Sequence, residues 1–174
     1  MLLFLLIGIV ILVAAFLLYT ASRPGTFRVE RTTTISNFPE KIFPLINDFH
    51  NWHAWSPFEK LDPSMKKTFS GALKGRGAVY EWNGNKKAGQ GRMEILDSLP
   101  HSKVAIEITF EKPFKSQNNI EFLLQKHDSS VEVTWTMYGP ASFMWKTMGI
   151  FVNMDNMIGK DFEEGLANLK ALME

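Results

Sequence analysis

The residues best suited to chemistry lie in the stretch NWHAWSPFEKLDP, residues 51–63. Trp52, Trp55 and Phe58 offer large, rigid apolar surfaces, and an indole N–H can donate a directional hydrogen bond to a polar head group. His53 could act as a general acid or base only with a tuned pKa and a substrate within hydrogen-bonding reach. The same aromatic side chains could equally close one end of a hydrophobic core. The stretch therefore predicts either the lip of an apolar pocket or a packed corner.

A second group of candidates follows the glycine-rich turn GALKGRG, in the segment VYEWNG. If Tyr80 and Trp82 point inward, Glu81 is a surface residue. In the opposite phase its carboxylate would be buried, at a cost that a ligand or an arginine such as Arg76 or Arg92 would have to offset. We favour a structural ion pair for this carboxylate over a polar anchor for a ligand. The weak catalytic candidates are therefore Glu81, His53 and Tyr80.

No other catalytic or cofactor-binding pattern is present. His50, His101 and His127 lack metal-ligand spacing, and the absence of cysteine excludes disulfides and thiolate metal sites. The chain carries no nucleophile-elbow, zinc-protease, Walker or dinucleotide motif. The sequence predicts no metal and no cofactor, and we assume no catalysis.

The balance of charge excludes nucleic-acid binding as the main function. Nineteen basic and eighteen acidic side chains give a formal net charge of +1, without long runs of either sign. A nucleic-acid footprint needs a basic face, which this composition does not supply. Aromatic residues reach 13% of the chain, more than a domain of this size needs merely to fold.

The first segment of the chain is unlike the rest. Leu2 to Tyr19 contains no charge and no proline, and as a helix it would span roughly 27 Å, close to the hydrocarbon thickness of a bilayer. We interpret residues 1–20 as an uncleaved transmembrane anchor in preference to a signal peptide, with 21–25 as a short linker. Arginines at positions 23, 28 and 31 lean towards a cytoplasmic domain but leave the side undecided.

Beyond the linker, alternating apolar residues predict a largely antiparallel sheet with one covered face. A strand is expected over 26–36, then a helix capped by Asn37, with Pro39 near its first position and Pro44 bending it. About six strands follow, and Asn83-Gly84 is a hairpin turn signal. The inward positions are Val104, Ile106, Ile108 and Phe110; Ile120, Phe122 and Leu124; and Val131, Val133, Trp135 and Met137.

The last segment, residues 142–173, has apolar residues at spacings of three and four, which predicts one long amphipathic helix. At about 45 Å it would cross the whole sheet. Six of the nine methionines lie between Met137 and Met173, and this flexible side chain suits surfaces that accept varied apolar shapes. A sheet gripping one helix need not close on it everywhere, so a cavity between them is expected.

Four stretches carry a resemblance to a known family: FRVERTTTISNFPEKIFPLINDFHNWHAWSPFEKLDPSMKKTFSG, GRGAVYEWNGN, GQGRMEI and MDNMIGKDFEEGLANLKALM. With their order, they resemble the START-like helix-grip superfamily and, more narrowly, the polyketide cyclase/dehydrase and lipid-transport family, often called SRPBCC proteins. The resemblance implies an α+β fold in which a curved antiparallel sheet of six to seven strands surrounds a C-terminal helix, over residues 26–174. It does not identify a substrate, since one fold hosts many functions.

We therefore expect a membrane-tethered domain that binds a hydrophobic or amphipathic small molecule, lipid-like or polyketide-like, between sheet and helix. The alternatives are a polyketide cyclase or dehydratase, and an anchored scaffold or stress-response module without a ligand. The expected partners are the hydrophobic molecule and the membrane, and no nucleic acid. The predicted ligand-binding residues are Trp52, Trp55, Phe58, Tyr80, Trp82, Ile106, Ile108, Phe110, Trp135, Met137, Met144, Met148 and Phe151.

Overall fold

The chain forms seven strands, four α-helices and two short 3₁₀ helices, and the computed structural model describes residues 1–174. The first half contains α1 (Leu2–Ser22), β1 (Thr26–Ile35), α2 (Pro39–Asn47), the 3₁₀ helices Phe49–Ala54 and Pro57–Lys60, β2 (Lys66–Gly71) and β3 (Ala78–Asn83). The second half contains β4 (Gln90–Leu99), β5 (Lys103–Lys112), β6 (Ser116–Lys126), β7 (Val131–Pro140), α3 (Phe143–Phe151) and α4 (Met154–Met173).

All seven strands form one antiparallel sheet in the order β1-β7-β6-β5-β4-β3-β2. Strands β2 to β7 therefore form the predicted meander, and β1 pairs with β7 at the edge of the sheet. The predicted α+β helix-grip fold is confirmed. Because every neighbouring pair is antiparallel, the connections alternate strictly between the two ends of the sheet.

Side-chain alternation places the predicted residues on one buried face. Ile106, Phe122 and Trp135 are each at most 1% exposed. The core of 26 buried residues runs from Val29 to Leu169, so α1 contributes nothing to it. Residues 26–174 thus contain the entire hydrophobic core.

The two tryptophans of the 3₁₀ segment hold α2 against this core. Trp52 and Trp55 are buried, and their indole N–H groups donate to the backbone oxygens of Ile46 and Leu45, both at 3.0 Å. Each bond satisfies a carbonyl in the last turn of α2, where no intrahelical donor is available. The interpretation of this stretch as a packed corner therefore holds for both residues.

The expected N-cap of α2 is displaced by one residue. Phe38 occupies the cap position, and Pro39 begins the helix. The Asn37 side chain instead donates from Nδ2 to the backbone oxygen of Met173 at 2.9 Å, so it ties the start of α2 to the end of α4. The Asn37 amide, which the local sequence pattern predicts as the cap of α2, instead forms a tertiary hydrogen bond.

The prediction of one continuous helix over 142–173 is wrong. The chain leaves the helix at Val152, with φ −127° and ψ 134°, and re-enters it after Asn153, whose side chain accepts from the Asn156 N–H at 3.0 Å. A β-branched residue followed by a good N-cap favours such a break. The segment therefore forms α3 and α4, and only α4 buries residues in the core.

Helix α4 approaches the sheet closely at two glycines. A Cβ on Gly159 would overlap the Arg31 guanidinium, and one on Gly165 would meet Trp135 Cζ3 at 2.7 Å. The Trp135 ring stacks on Phe162 with centroids 4.1 Å apart. Arg31 donates to Glu163 and Asp155 of α4. The helix is thus fixed over β1 and β7, at one side of the sheet.

Helix α1 stands outside this domain. Its length and apolar composition fit either a membrane span or a signal sequence. Its side chains are almost all exposed, and it contacts α3, with the rings of Phe16 and Phe151 6.4 Å apart.

The close approach of α4 predicts a penalty for Gly165→Ala. Alanine would improve helix propensity by about 1 kcal/mol, but its methyl group must displace the rigid Trp135 ring. We expect a net loss of about 1–3 kcal/mol in the free energy of unfolding, measured by urea titration of residues 24–174. Gly149→Ala in α3 is the matched control, because its Cβ would meet nothing closer than Met154 Cγ at 4.0 Å. Equal effects of the two substitutions would contradict the argument.

Candidate functional site

A cavity of about 430 Å³ lies between the covered face of the sheet and the α3–α4 segment. Its wall contains thirty residues, of which 22 are hydrophobic. They come from β1, β3 to β7, the 3₁₀ segment, α3, the first half of α4 and several connecting loops. The space exists because α4 is seated over β1 and β7, which leaves the middle strands uncovered near one end of the sheet.

Most of the residues predicted to bind a ligand are brought together in this wall. Those that line the cavity are Trp52, Phe58, Tyr80, Trp82, Ile108, Phe110, Trp135, Met137, Met144 and Met148.

Three predicted residues lie elsewhere. Trp55 is 1% exposed and sits beneath Trp52 and Trp135, with ring centroids 5.0 and 5.5 Å away. Ile106 shares the inward face of β5 but is buried in the packed part of the core. Phe151 is 75% exposed and turns towards α1 because the helix ends there.

The catalytic candidates His53 and Glu81 both point to solvent. His53 Nδ1 lies 2.6 Å from the backbone oxygen of His50. Since Tyr80 and Trp82 are buried, alternation turns Glu81 outward. The ion pair expected for Glu81 is absent, because Arg92 donates instead to Glu94, 2.7 Å away. Of the catalytic candidates, only Tyr80 reaches the cavity.

Sequence reasoning missed Glu59, the carboxylate in the cavity wall. Glu59 Oε1 accepts from the Tyr80 hydroxyl at 2.7 Å, and Oε2 accepts from Lys67 Nζ. Its side chain is only 9% exposed, so both bonds are made largely out of water. Burial, followed by the bond to Glu59, raises the pKa of Tyr80 above its ordinary value. Glu59 follows Pro57-Phe58 without periodicity, so no local signal could have placed it here.

Two residues of the wall each hold a buried polar atom that has no partner in the protein. Trp135 Nε1 is buried and donates to nothing, whereas the indole N–H of Trp82 donates to Ala88 at 3.0 Å. The benzene edge of Trp135 faces Gly165 of α4, so the N–H lies on the opposite side of the ring. Asn118 Oδ1 is also buried and unpaired, close to Gly139. Unpaired buried polar atoms are costly, and a ligand or water would relieve them.

A family model described as "Polyketide cyclase / dehydrase and lipid transport" matches residues 26–174. A comparison with curated proteins finds no match.

Solved structures share the fold at low identity. The Aha1 dimer from Colwellia psychrerythraea aligns with a TM-score of 0.59 and 16% identity, over 85% of this chain and 96% of that one. Protein CV1439 from Chromobacterium violaceum gives 0.58 and 14%, over 87% and 99%. CalU16 from Micromonospora echinospora gives 0.55 and 12%, over 86% and 83%. These likenesses establish the fold and no shared activity.

The buried phenol of Tyr80 predicts a decline in stability at alkaline pH. The folded state holds the Tyr80 proton more tightly than the unfolded state, because its pKa is raised on folding. Its contribution is therefore complete below the unfolded pKa of about 10 and is lost as the pH rises above it. Urea unfolding across that range should show the decline, and Tyr80→Phe should reduce it. Tyr138→Phe, which removes an exposed phenol, is the control and should keep the full decline; loss of the decline there would contradict the assignment.

Proposed function

We propose that this chain, which belongs to the polyketide cyclase / dehydrase and lipid transport family, binds a hydrophobic or amphipathic small molecule in the cavity beneath its sheet. The observation that carries the proposal is the cavity itself: about 430 Å³, walled mainly by hydrophobic side chains. This volume lies within the range of about 300–1,000 Å³ typical of small-molecule sites. Burial of apolar ligand surface would drive binding.

The polar atoms of the wall favour an amphipathic ligand over a plain hydrocarbon. Beside the cavity, Trp135 holds an unused N–H donor and Asn118 an unused amide oxygen, both buried. A ligand oxygen near Trp135 would satisfy the donor and fix the orientation of the molecule. Tyr80 and Glu59 already form a hydrogen bond with each other, so fewer of their polar atoms are available to a ligand.

Helix α1 would tether the domain to a membrane, close to a reservoir of lipid-like ligands. Residues 1–20 act as the anchor in this proposal, 21–25 as the linker, and 26–174 as the binding domain. Three arginines after α1 weakly favoured a cytoplasmic domain. Two of them, Arg28 and Arg31, lie in β1, where each pairs with a carboxylate. Only Arg23 flanks α1, so the proposal leaves the side of the membrane open.

The Glu59–Tyr80 pair is the one observation that favours the alternative of a cyclase or dehydratase. If a substrate carbonyl replaced Glu59 as the acceptor, the Tyr80 phenol could donate its single proton to that carbonyl. The raised pKa of Tyr80 keeps the phenol protonated, which suits a donor and not a base. Turnover abolished by Tyr80→Phe, with binding retained, would favour this alternative. The other alternative, an anchored scaffold without a ligand, predicts a fully packed interior. The cavity argues against it.

Filling the cavity should abolish binding. Ile108 lines it, while Thr109 lies next along β5 with its side chain on the opposite face. For Ile108→Trp in residues 24–174 we expect the dissociation constant of a fluorescent fatty acid to rise at least about tenfold. Thr109→Trp, which adds the same indole outside the cavity, should bind as the parent does. Undiminished binding by Ile108→Trp, with a normal urea midpoint, would place the ligand elsewhere.

Binding of an oxygen-bearing ligand should alter the Trp135 indole N–H. In ¹⁵N spectra we expect a fatty acid to shift this resonance downfield, while diphenylhexatriene, which has no acceptor, should leave it near its starting frequency. The indole of Trp55 already donates to Leu45 and is the internal control. Trp135→Phe assigns the signal. A bound fatty acid that leaves the Trp135 N–H unmoved would contradict the role given to this donor.

A further inference from the structure

The strand ends and turns next to the cavity opening all lie at one end of the sheet. Because the strands alternate in direction, the start of β1, the β3–β4 and β5–β6 turns and the end of β7 all lie at this end. Ala88, Phe114 and Ser142 from these connections line the cavity, which therefore opens here. We call this the open end. Only residues 23–25 separate it from α1.

The open end carries apolar side chains without a partner in the fold. Phe114, at the tip of the β5–β6 turn, is 54% exposed, and Phe143 at the start of α3 is 53% exposed. Helix α3 buries no residue, although Trp145 stacks on Phe27 at 4.1 Å and so fixes the helix to β1. Exposed apolar patches of this kind mark interaction surfaces.

If α1 spans a bilayer, its contact with α3 indicates how deeply the end of α3 reaches into the membrane. Phe151, at the end of α3, lies beside Phe16, which precedes the end of α1 at Ser22 by six residues. At 1.5 Å per residue, Phe16 would lie roughly 9 Å inside the span. The end of α3 would then reach the boundary between head groups and acyl chains, where interfacial helices place their apolar face.

Basic residues surround the apolar patch. Two acidic groups lie near them: Glu111, which pairs with Lys115 at 3.4 Å, and Asp62, a carboxylate that accepts from Ser64 and from the Asn85 N–H. Five lysines lie here beside Glu111 and Asp62, whereas the whole chain carries a net charge of only +1. Those on the turns and on α3 are Lys86, Lys87, Lys112, Lys115 and Lys146.

We propose that the open end docks onto a bilayer surface carrying anionic lipid head groups. Helix α3 and Phe114 enter the interface, the lysines contact the head groups, and the cavity opens onto the membrane. A bilayer fits better than a protein partner because α1 leads into the same surface and because cations ringing an apolar centre match an anionic interface. The docking rests on the proposed tether, but its test does not require that the cavity bind a ligand.

The chain has no cysteine, so single labelling sites can be introduced into the full-length protein. Phe114→Cys and Leu73→Cys, each carrying an NBD fluorophore, would be compared in lipid nanodiscs of phosphatidylcholine with and without phosphatidylglycerol. Leu73 is 74% exposed in the β2–β3 turn, at the opposite end of the sheet, and is the matched control. We expect blue-shifted emission and quenching by spin-labelled lipid at position 114 alone, stronger with phosphatidylglycerol and weaker at high salt.

Charge reversal tests the lysines separately. Lys86→Glu with Lys87→Glu should reduce the lipid quenching at position 114 by about half or more. Lys41→Glu with Lys74→Glu, the same charge change away from the open end, should leave it unchanged. Equal, water-like emission at positions 114 and 73 would overturn the docking, and so would failure of α1 to hold the chain in the disc. Protection of the label that needs two chains per disc would assign the surface to a second copy instead.

Fatty-acid binding measured on the same discs separates the two proposals. Docking without binding would refute the ligand function alone. Binding without docking would refute the membrane contact alone.

Discussion

The packing around Trp135 is the interaction on which the rest of the structure depends. Its ring stacks on Phe162, lies against the bare backbone of Gly165 and packs beside Phe122 with centroids 4.9 Å apart. Close packing of this density leaves α4 no freedom to slide across the sheet. The helix is therefore held over β1 and β7, and the middle strands keep an uncovered apolar surface. The cavity follows from where the helix is seated, and not from any shortage of hydrophobic residues.

The same tryptophan links the core to the site. Trp52, Trp55 and Trp82 use their indole N–H groups to satisfy backbone carbonyls, and so they are structural even where they touch the cavity. Trp135 alone among the buried tryptophans keeps an unpaired N–H. Since an unpaired buried donor costs stability, a guest that accepts from it gains affinity that a hydrocarbon cannot. The wall is thus mainly apolar, with a few polar side chains among its residues.

The break between α3 and α4 separates two roles that one helix could not combine. Helix α4 is amphipathic and buried along one side, whereas α3 has no buried residue and forms part of the cavity wall beside α1. A straight continuation would have carried these apolar residues away from the sheet into water. Because the chain turns at Val152 and Asn153, they stay at the open end, beside the apolar N-terminal helix.

The sequence by itself determined the elements that local periodicity encodes: the apolar first helix, the inward faces of β5, β6 and β7, and the amphipathic α4. It also indicated the hairpin connection between β3 and β4, although six residues form it in place of a tight Asn83-Gly84 turn. It further indicated ten of the thirty residues of the cavity wall, in part because inward positions of adjacent strands share a face. Only the tertiary structure decided that Glu59 bonds Tyr80, that the Trp135 N–H is unpaired, and that Trp55 and Ile106 lie in the packed core. The physical reason is that periodicity fixes which side of an element is covered, while hydrogen-bond partners and empty space depend on contacts between residues far apart in the chain.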